Sequence, residues 1–217
     1  MELVSRNSSS THLKCLYTNA TSLNNKINEL ILDIIHHDVS VVFISETWWS
    51  DTSAVFNLFR NDRDSRGGGV CIYIRNSLKS YIIDVELLCS NLIEQIWCIV
   101  DFGSEKIICG CIYRPGSSSN LENLAIIRSI KQVSSLYYKK ECSGLLLCGD
   151  FNYATIKWRE SINLLHNELD TQAKEFIDFL NDTFLYQNIV NPTFQVKLGS
   201  DSNVLDLIIT ECENRIF

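Results

Sequence analysis

Leu145-Leu146-Leu147-Cys148-Gly149-Asp150-Phe151-Asn152-Tyr153 is an apolar run that breaks at a glycine and turns polar. An unbroken run of this length reads as a strand buried on both faces. An acid and an amide follow at i and i+2. If the strand continues, Asp150 and Asn152 share one face, because side chains alternate with a period of two. A carboxylate and a carboxamide at the end of a buried strand oppose folding unless something polar meets them. A metal ion or a phosphoester would do so. The same residues also suit an ordinary turn, in which Asp and Asn bond their own backbone. Other parts of the chain have to decide between the two.

Upstream, Leu13 to Tyr17 reads as a first strand closed by Thr18-Asn19. Leu23, Ile27, Leu30, Ile31, Ile34 and Ile35 follow at helical spacing, with Thr21 or Ser22 placed to cap the helix. Val41 to Ile44 is a second buried strand, and Ser45-Glu46-Thr47 follows its carboxyl end. A loop then leads to Arg66-Gly67-Gly68-Gly69 and a strand at Val70 to Ile74. The glycines lack a following Gly-Lys-Ser/Thr and precede a strand, which argues against a phosphate-binding P-loop and favours flexible passage into the strand. Arg60, Arg63 and Arg66 offer a local basic patch.

Tyr81 to Leu88, Glu94 to Asp101 and Lys106 to Tyr113 read as strands separated by turn residues. Leu121 to Tyr138 and Ala173 to Leu185 have helical spacing. Val204 to Ile209 is a last strand with Asp206 embedded in it. Hairpin-spaced strands mixed with a few helices predict an α/β sandwich, two packed sheets flanked by helices. Residues 1–12 read as a disordered polar tail, and residues 13–217 as one domain without internal repeats.

Bulk properties narrow the function. The 217 residues are 46% hydrophobic and 21% charged, as in globular proteins. The net charge of −7 excludes nucleic-acid binding by bulk charge, so such binding needs a local patch or a bound cation. Nine cysteines are scattered without a Cys-x-x-Cys pair. Cys15, Cys71, Cys98 and Cys148 sit in apolar runs, and Cys109 and Cys111 face the same way. Buried reduced thiols follow, with no disulfide-linked partner, no zinc site of usual spacing, and a nuclear or cytoplasmic location. No run approaches the ~18 apolar residues of a membrane span, so no membrane association is expected.

Asn19, Glu46, Asp150 with Asn152, and Asp206 all lie in or just after predicted core strands. Packed sheets bring such ends to one rim. Carboxylates with amides suit a hard oxygen-seeking cation, Mg²⁺ or alternatively Mn²⁺.

Asn19-Ala20-Thr21-Ser22-Leu23-Asn24-Asn25-Lys26, Ser45-Glu46-Thr47-Trp48, Arg66-Gly67-Gly68-Gly69-Val70, Ile112-Tyr113-Arg114-Pro115, Gly149-Asp150-Phe151-Asn152 and Leu205-Asp206-Leu207-Ile208-Ile209-Thr210 occur in this order. Together they resemble the endonuclease domain of non-LTR retrotransposons, in the endonuclease/exonuclease/phosphatase superfamily that includes apurinic-site endonucleases. The resemblance runs from about Leu13 to the last residues. It implies a four-layered α/β sandwich and Mg²⁺-dependent cleavage of DNA, with a reverse transcriptase domain downstream. By motif, Glu46 is the metal ligand, with Asn19 beside it. Tyr113 donates to a phosphate oxygen. Asp150 orients or activates the attacking water, and Asn152 stabilises charge on phosphorus. Asp206 corresponds to a further family acid.

The family's sites are completed near the carboxyl end by a Ser-Asp-His motif, which this sequence lacks. His12, His36, His37 and His166 do not match it. Loss of a catalytic group commonly removes orders of magnitude in rate, so impaired nicking by this chain is the expectation, with activity in a longer version. Two further readings stay open: a superfamily phosphatase or phosphodiesterase on a lipid or nucleotide, and a catalytically dead nucleic-acid-binding module.

Overall fold

Val41–Ser45 (β2) is buried at every position, so both faces of this strand must be covered. In the computed structural model they are covered by different partners. Val41 and Phe43 point into a layer between two sheets, while Val42 and Ile44 pack beneath helix α1 (Ile27–His36). The structure describes residues 13–20, 27–47, 56–62, 68–83, 92–158, 170–195 and 202–216.

The smaller sheet has four strands in the order β1 (Cys15–Asn19), β2, β4 (Val70–Arg75), β3 (Phe56–Asn61). Its β1 and β2 are parallel, and its other pairs antiparallel. The larger sheet has six strands in the order β5 (Lys79–Ile82), β6 (Glu94–Asp101), β7 (Lys106–Tyr113), β8 (Gly144–Asp150), β12 (Asp206–Thr210), β9 (Tyr186–Gln187). Here only β7 and β8 run parallel. A two-stranded ribbon, β10 (Phe194–Gln195) with β11 (Ser202–Asn203), stands apart.

Between the sheets lie Ile96, Cys98, Val100, Ile107, Cys109, Cys111 and Cys148, opposite Val41, Phe43, Val70, Ile72 and Ile74. Four of these are cysteines, small apolar side chains that let the sheets approach closely. The expectation of burial fails at Cys15, on the edge strand β1, and at Cys212, just after β12, both exposed. The outer face of the larger sheet carries Trp97, Ile108, Ile112, Leu145 and Leu147 beneath helices α2 (Asn120–Tyr138) and α3 (Thr171–Asp182). The layers are therefore helix, sheet, sheet, helix, the sandwich expected from the sequence.

The helices begin where their first N–H groups find side-chain acceptors. Ser119 and Glu122 form a reciprocal capping box at α2. Asp170 Oδ1 accepts from the Ala173 amide at 2.8 Å to cap α3. Residues Thr21 and Ser22, expected to cap α1, lie outside the described residues.

Four departures from the sequence reading have physical causes. β1 extends to Asn19 because its parallel ladder with β2 continues to Asn19 opposite Ser45. β3 is an edge strand with Asn57 and Arg60 exposed and no residue fully buried, so it lacks a buried strand's unbroken apolar signal. β5 begins at Lys79, and the remainder of the predicted strand to Leu88 falls largely outside the described residues. The strand through Leu145 stops at Asp150, because Asn152 adopts φ 50° and turns the chain.

Candidate active site

Strand parity decides which side chains meet. On β8, Leu146 and Cys148 face the inter-sheet layer, so Asp150 faces it too. Tyr113 follows Cys109 and Cys111 with the same parity on β7, and Asp206 precedes Ile208 on β12. These residues are direct partners across the sheet: Tyr113 opposite Asp150, and Asp150 opposite Asp206. Glu94, opposite Tyr113, completes a row of polar side chains at one end of the larger sheet. On the smaller sheet Asn19 lies opposite Ser45, with Glu46 next in the chain. Here the apolar filling between the sheets ends and the rows confront each other.

The contacts across the gap are specific. Asn19 Nδ2 donates to Asp150 Oδ2 at 2.9 Å. The Tyr113 hydroxyl lies beside the Glu46 carboxylate, whose charge adds to burial in raising its pKa. The Tyr17 hydroxyl donates to Asp206 Oδ1 at 2.5 Å and lies 2.9 Å from Ser45 Oγ. Asn19 with Asp150, Tyr113 with Glu46 and Tyr17 with Asp206 each join one sheet to the other, while Tyr17 with Ser45 stays within the smaller sheet. The sandwich therefore closes here through polar groups instead of methyls.

Asp150 is 5% exposed. Burial is the main cause that pushes its carboxyl up to about 7, and the neighbouring charge of Asp206 adds to it. Hydrogen bonds from Asn152 oppose the rise, and the charge of Glu46 reinforces it. The Asn152 amide donates to Asp150 Oδ1 at 3.2 Å, and its Nδ2 donates to the Arg114 carbonyl at 2.9 Å. Asp150 thus bonds the backbone of its own turn, as the turn reading expects, and its carboxylate still faces the gap. Tyr113 and Tyr17 are raised, chiefly by burial, then by the charge of Glu46 and of Asp206 respectively. Both phenols stay neutral donors at physiological pH.

Glu46 occupies the left-handed region at φ 56°, uncommon for a residue other than glycine or asparagine. Its N–H donates to the Gly69 carbonyl at 2.8 Å, which fixes the chain after β2 and turns the carboxylate toward Tyr113. Gly68 and Gly69 carry the chain into β4 with the backbone freedom expected of glycine there. Both have positive φ, and the Gly69 amide donates to Glu94. A Cβ on Gly68 would lie 2.2 Å from Glu94 Oε2.

Glu46, Asp150, Asn19 and Asp206 are brought to one rim by these contacts, with Tyr113 and Asn152 beside them. Among the described residues no group of three or more His, Cys, Asp or Glu side chains forms a ready-made metal cage. A Mg²⁺ site needs less, one or two carboxylates with the remaining positions taken by water and phosphate oxygens. Glu46 with Asp150 fits that donor set, and the repulsion between the half-buried Glu46 and the buried Asp150 is what a cation relieves.

Of the arginines expected to form a basic patch, Arg60 pairs with Asp62; Arg63 and Arg66 lie outside the described residues. His36 and His37 end α1 beside the start of β2, the far end of that strand from Ser45. His12 and His166 lie outside the described residues. Tyr17, Ser45, Glu94 and Arg114 were not singled out as site residues by sequence. For Tyr17 the signal was present, since it shares the parity of Asn19.

The endonuclease-reverse transcriptase family matches residues 107–216. No curated protein matches. Among solved structures, the endonuclease domain of TRAS1, a telomere-specific non-LTR retrotransposon, is similar at TM-score 0.65 and 14% identity, over 91% of this chain and 84% of that one. The 3′ phosphatase NExo from Neisseria, bound to a product DNA hairpin, is similar at TM-score 0.62 and 14% identity, over 92% and 86%. An AP endonuclease from Archaeoglobus fulgidus is similar at TM-score 0.60 and 12% identity, over 92% and 87%.

Proposed function

This chain belongs to the endonuclease-reverse transcriptase family, within the endonuclease/exonuclease/phosphatase fold, and on that premise we propose that it hydrolyses a phosphodiester of DNA with the help of Mg²⁺. Its rate is the reduced one expected of a site without the Ser-Asp-His motif. The observation that carries the reading is the meeting of Asn19 with Asp150 and of Glu46 with Tyr113 across the sandwich rim. Among the described residues no helix is long and apolar enough to cross a membrane.

In this reading Glu46, with Asp150 nearby, holds the cation. When bound, the ion supplies Lewis-acid polarisation of the phosphoryl oxygen. Asn19 occupies Asp150 Oδ2 and the Asn152 amide occupies Oδ1, so the carboxylate is fixed and its free lone pairs are aimed at a water. With its carboxyl near 7, Asp150 accepts a proton from that water at physiological pH. Tyr113, a neutral donor beside Glu46, gives a hydrogen bond to a non-bridging oxygen. Asn152, anchored on the Arg114 carbonyl, donates where negative charge grows on phosphorus. Asp206, held by Tyr17, keeps Asp150 basic through its charge. The family pairs such a domain with a reverse transcriptase, which gives the nick its use as a primer.

The net charge of −7 favours a second reading, a small phosphoester substrate. One assay separates the readings: supercoiled plasmid with Mg²⁺ and the chain, its Asn19→Ala and its Asp150→Ala variants, alongside a small phosphomonoester. Mg²⁺-dependent nicking that falls about 10²–10⁴-fold in Asp150→Ala supports the proposal. Turnover confined to the phosphomonoester supports the second reading. DNA binding without turnover supports a binding module.

A further inference from the structure

Arg114 is 5% exposed, and among the described residues no carboxylate forms an ion pair with it. The carboxylate of Asp170 acts on it only through charge at longer range, and a buried cation so weakly partnered opposes folding. Its contacts show what it is doing there. Nη1 donates to the carbonyls of Phe151 at 3.1 Å and Asn152 at 3.3 Å. Nη2 donates to Gln172 Oε1 at the first turn of α3, and Gln172 Nε2 reaches the Ser118 carbonyl at 3.1 Å. The guanidinium carbon lies 4.2 Å from the centre of the Tyr153 ring, while Nε is buried without a partner.

The backbone of Arg114 is tied to the same loop. Its N–H donates to the Asp150 carbonyl at 2.8 Å, and its carbonyl accepts from Asn152 Nδ2 at 2.9 Å. Side chain holds backbone in both directions: Arg114 on the carbonyls of 151 and 152, Asn152 on the carbonyl of 114. Asn152 sits at φ 50° within this clasp, with its amide on Asp150 Oδ1. Without the clasp, no contact outside the turn itself fixes the Phe151 and Asn152 carbonyls among the described residues.

The geometry points to Arg114 as a positioning residue, a buried latch that holds Asp150 and Asn152 in register with Tyr113 at the end of the neighbouring strand. It touches no substrate; it acts through the turn. The inference rests on the roles given above to Asp150 and Asn152. Lysine cannot replace it, because one ammonium does not span two carbonyls and Gln172 or lie flat on Tyr153.

The test compares wild type with Arg114→Lys, Arg114→Met and the gentler Gln172→Ala by plasmid nicking and by amide hydrogen exchange. In Arg114→Lys the expected result is a fall in kcat of about 10²-fold with KM for DNA little changed, the cost of a displacement near 1 Å. Protection of the Asn152 amide should fall about tenfold or more while core amides of the β6–β7 pair keep theirs. Gln172→Ala should show the same pattern, weaker. The latch is overturned if Asn152 exchange is unchanged in Arg114→Lys and Gln172→Ala, or if core amides lose protection in step with it. If wild type nicks nothing while Asn152 is selectively loosened, the nuclease reading fails and the latch stands.

Discussion

Asn19 Nδ2 and Asp150 Oδ2 are 2.9 Å apart although 131 positions separate the residues. The bond joins the last residue of β1 in one sheet to the last residue of β8 in the other. Only a sandwich in which both strands finish at the same rim permits it. The bond also leaves Asp150 with a fixed orientation in a buried place, where a carboxylate is costly unless it serves a function.

That cost is measurable. In the folded chain Asp150 keeps its proton up to about pH 7, whereas the ordinary carboxyl loses it near 3.8. The folded state therefore binds more protons between these values, and stability falls as pH rises through the window. In EDTA at pH 8, Asp150→Asn should raise stability by about 1–2 kcal/mol, below the ceiling of ~4 kcal/mol set by ~1.4 kcal/mol per unit, because asparagine satisfies its donors less well. The gain should vanish near pH 4. Thermal melts of both proteins at the two pH values check this, and a difference independent of pH would refute it.

Tyr17 bridges the sheets through Asp206 and also meets Ser45 on the neighbouring strand of its own sheet. Tyr17→Phe keeps the ring and leaves both partners one hydrogen bond short. A loss of about 1–3 kcal/mol is expected, seen as a lower denaturation midpoint at an unchanged slope. An unaltered midpoint would mean that the bridge contributes nothing.

Gly68 combines φ 74° with the Glu94 carboxylate, whose Oε2 a Cβ would meet at 2.2 Å. Gly68→Ala should destabilise by more than about 1 kcal/mol through both effects. Adding Glu94→Ala removes the clash and leaves the backbone cost, so the double variant should lose less than the sum of the singles. Strict additivity would show that the two do not touch.

Much of this arrangement was legible in the sequence, for physical reasons that also explain the gaps. β6 and β7 were read to the residue, because Glu94–Asp101 and Lys106–Tyr113 are apolar runs bounded by turn residues. Asn19, Glu46, Asp150 and Asp206 stood out because a polar group ending a core strand is unusual. β3 was missed because an edge strand needs no unbroken apolar run, and β9 to β11 because two-residue strands are set by tertiary pairing. Tyr17 and Glu94 reach the gap by strand parity, which sequence supplies only after the inner face of each strand is known. Arg114 sat in a quoted motif, but its partners are backbone carbonyls, which no side-chain pattern reveals.

The central claim is that Glu46 and Asp150 bind one divalent cation between them. Titration of Mn²⁺ followed by electron paramagnetic resonance tests it without relying on turnover. The account predicts one site in the wild type, weakened about tenfold or more in Glu46→Gln and in Asp150→Asn, and unaffected in Glu105→Gln, a surface acid paired with Arg215 far from the rim. Equal Mn²⁺ affinity in all four proteins would contradict it.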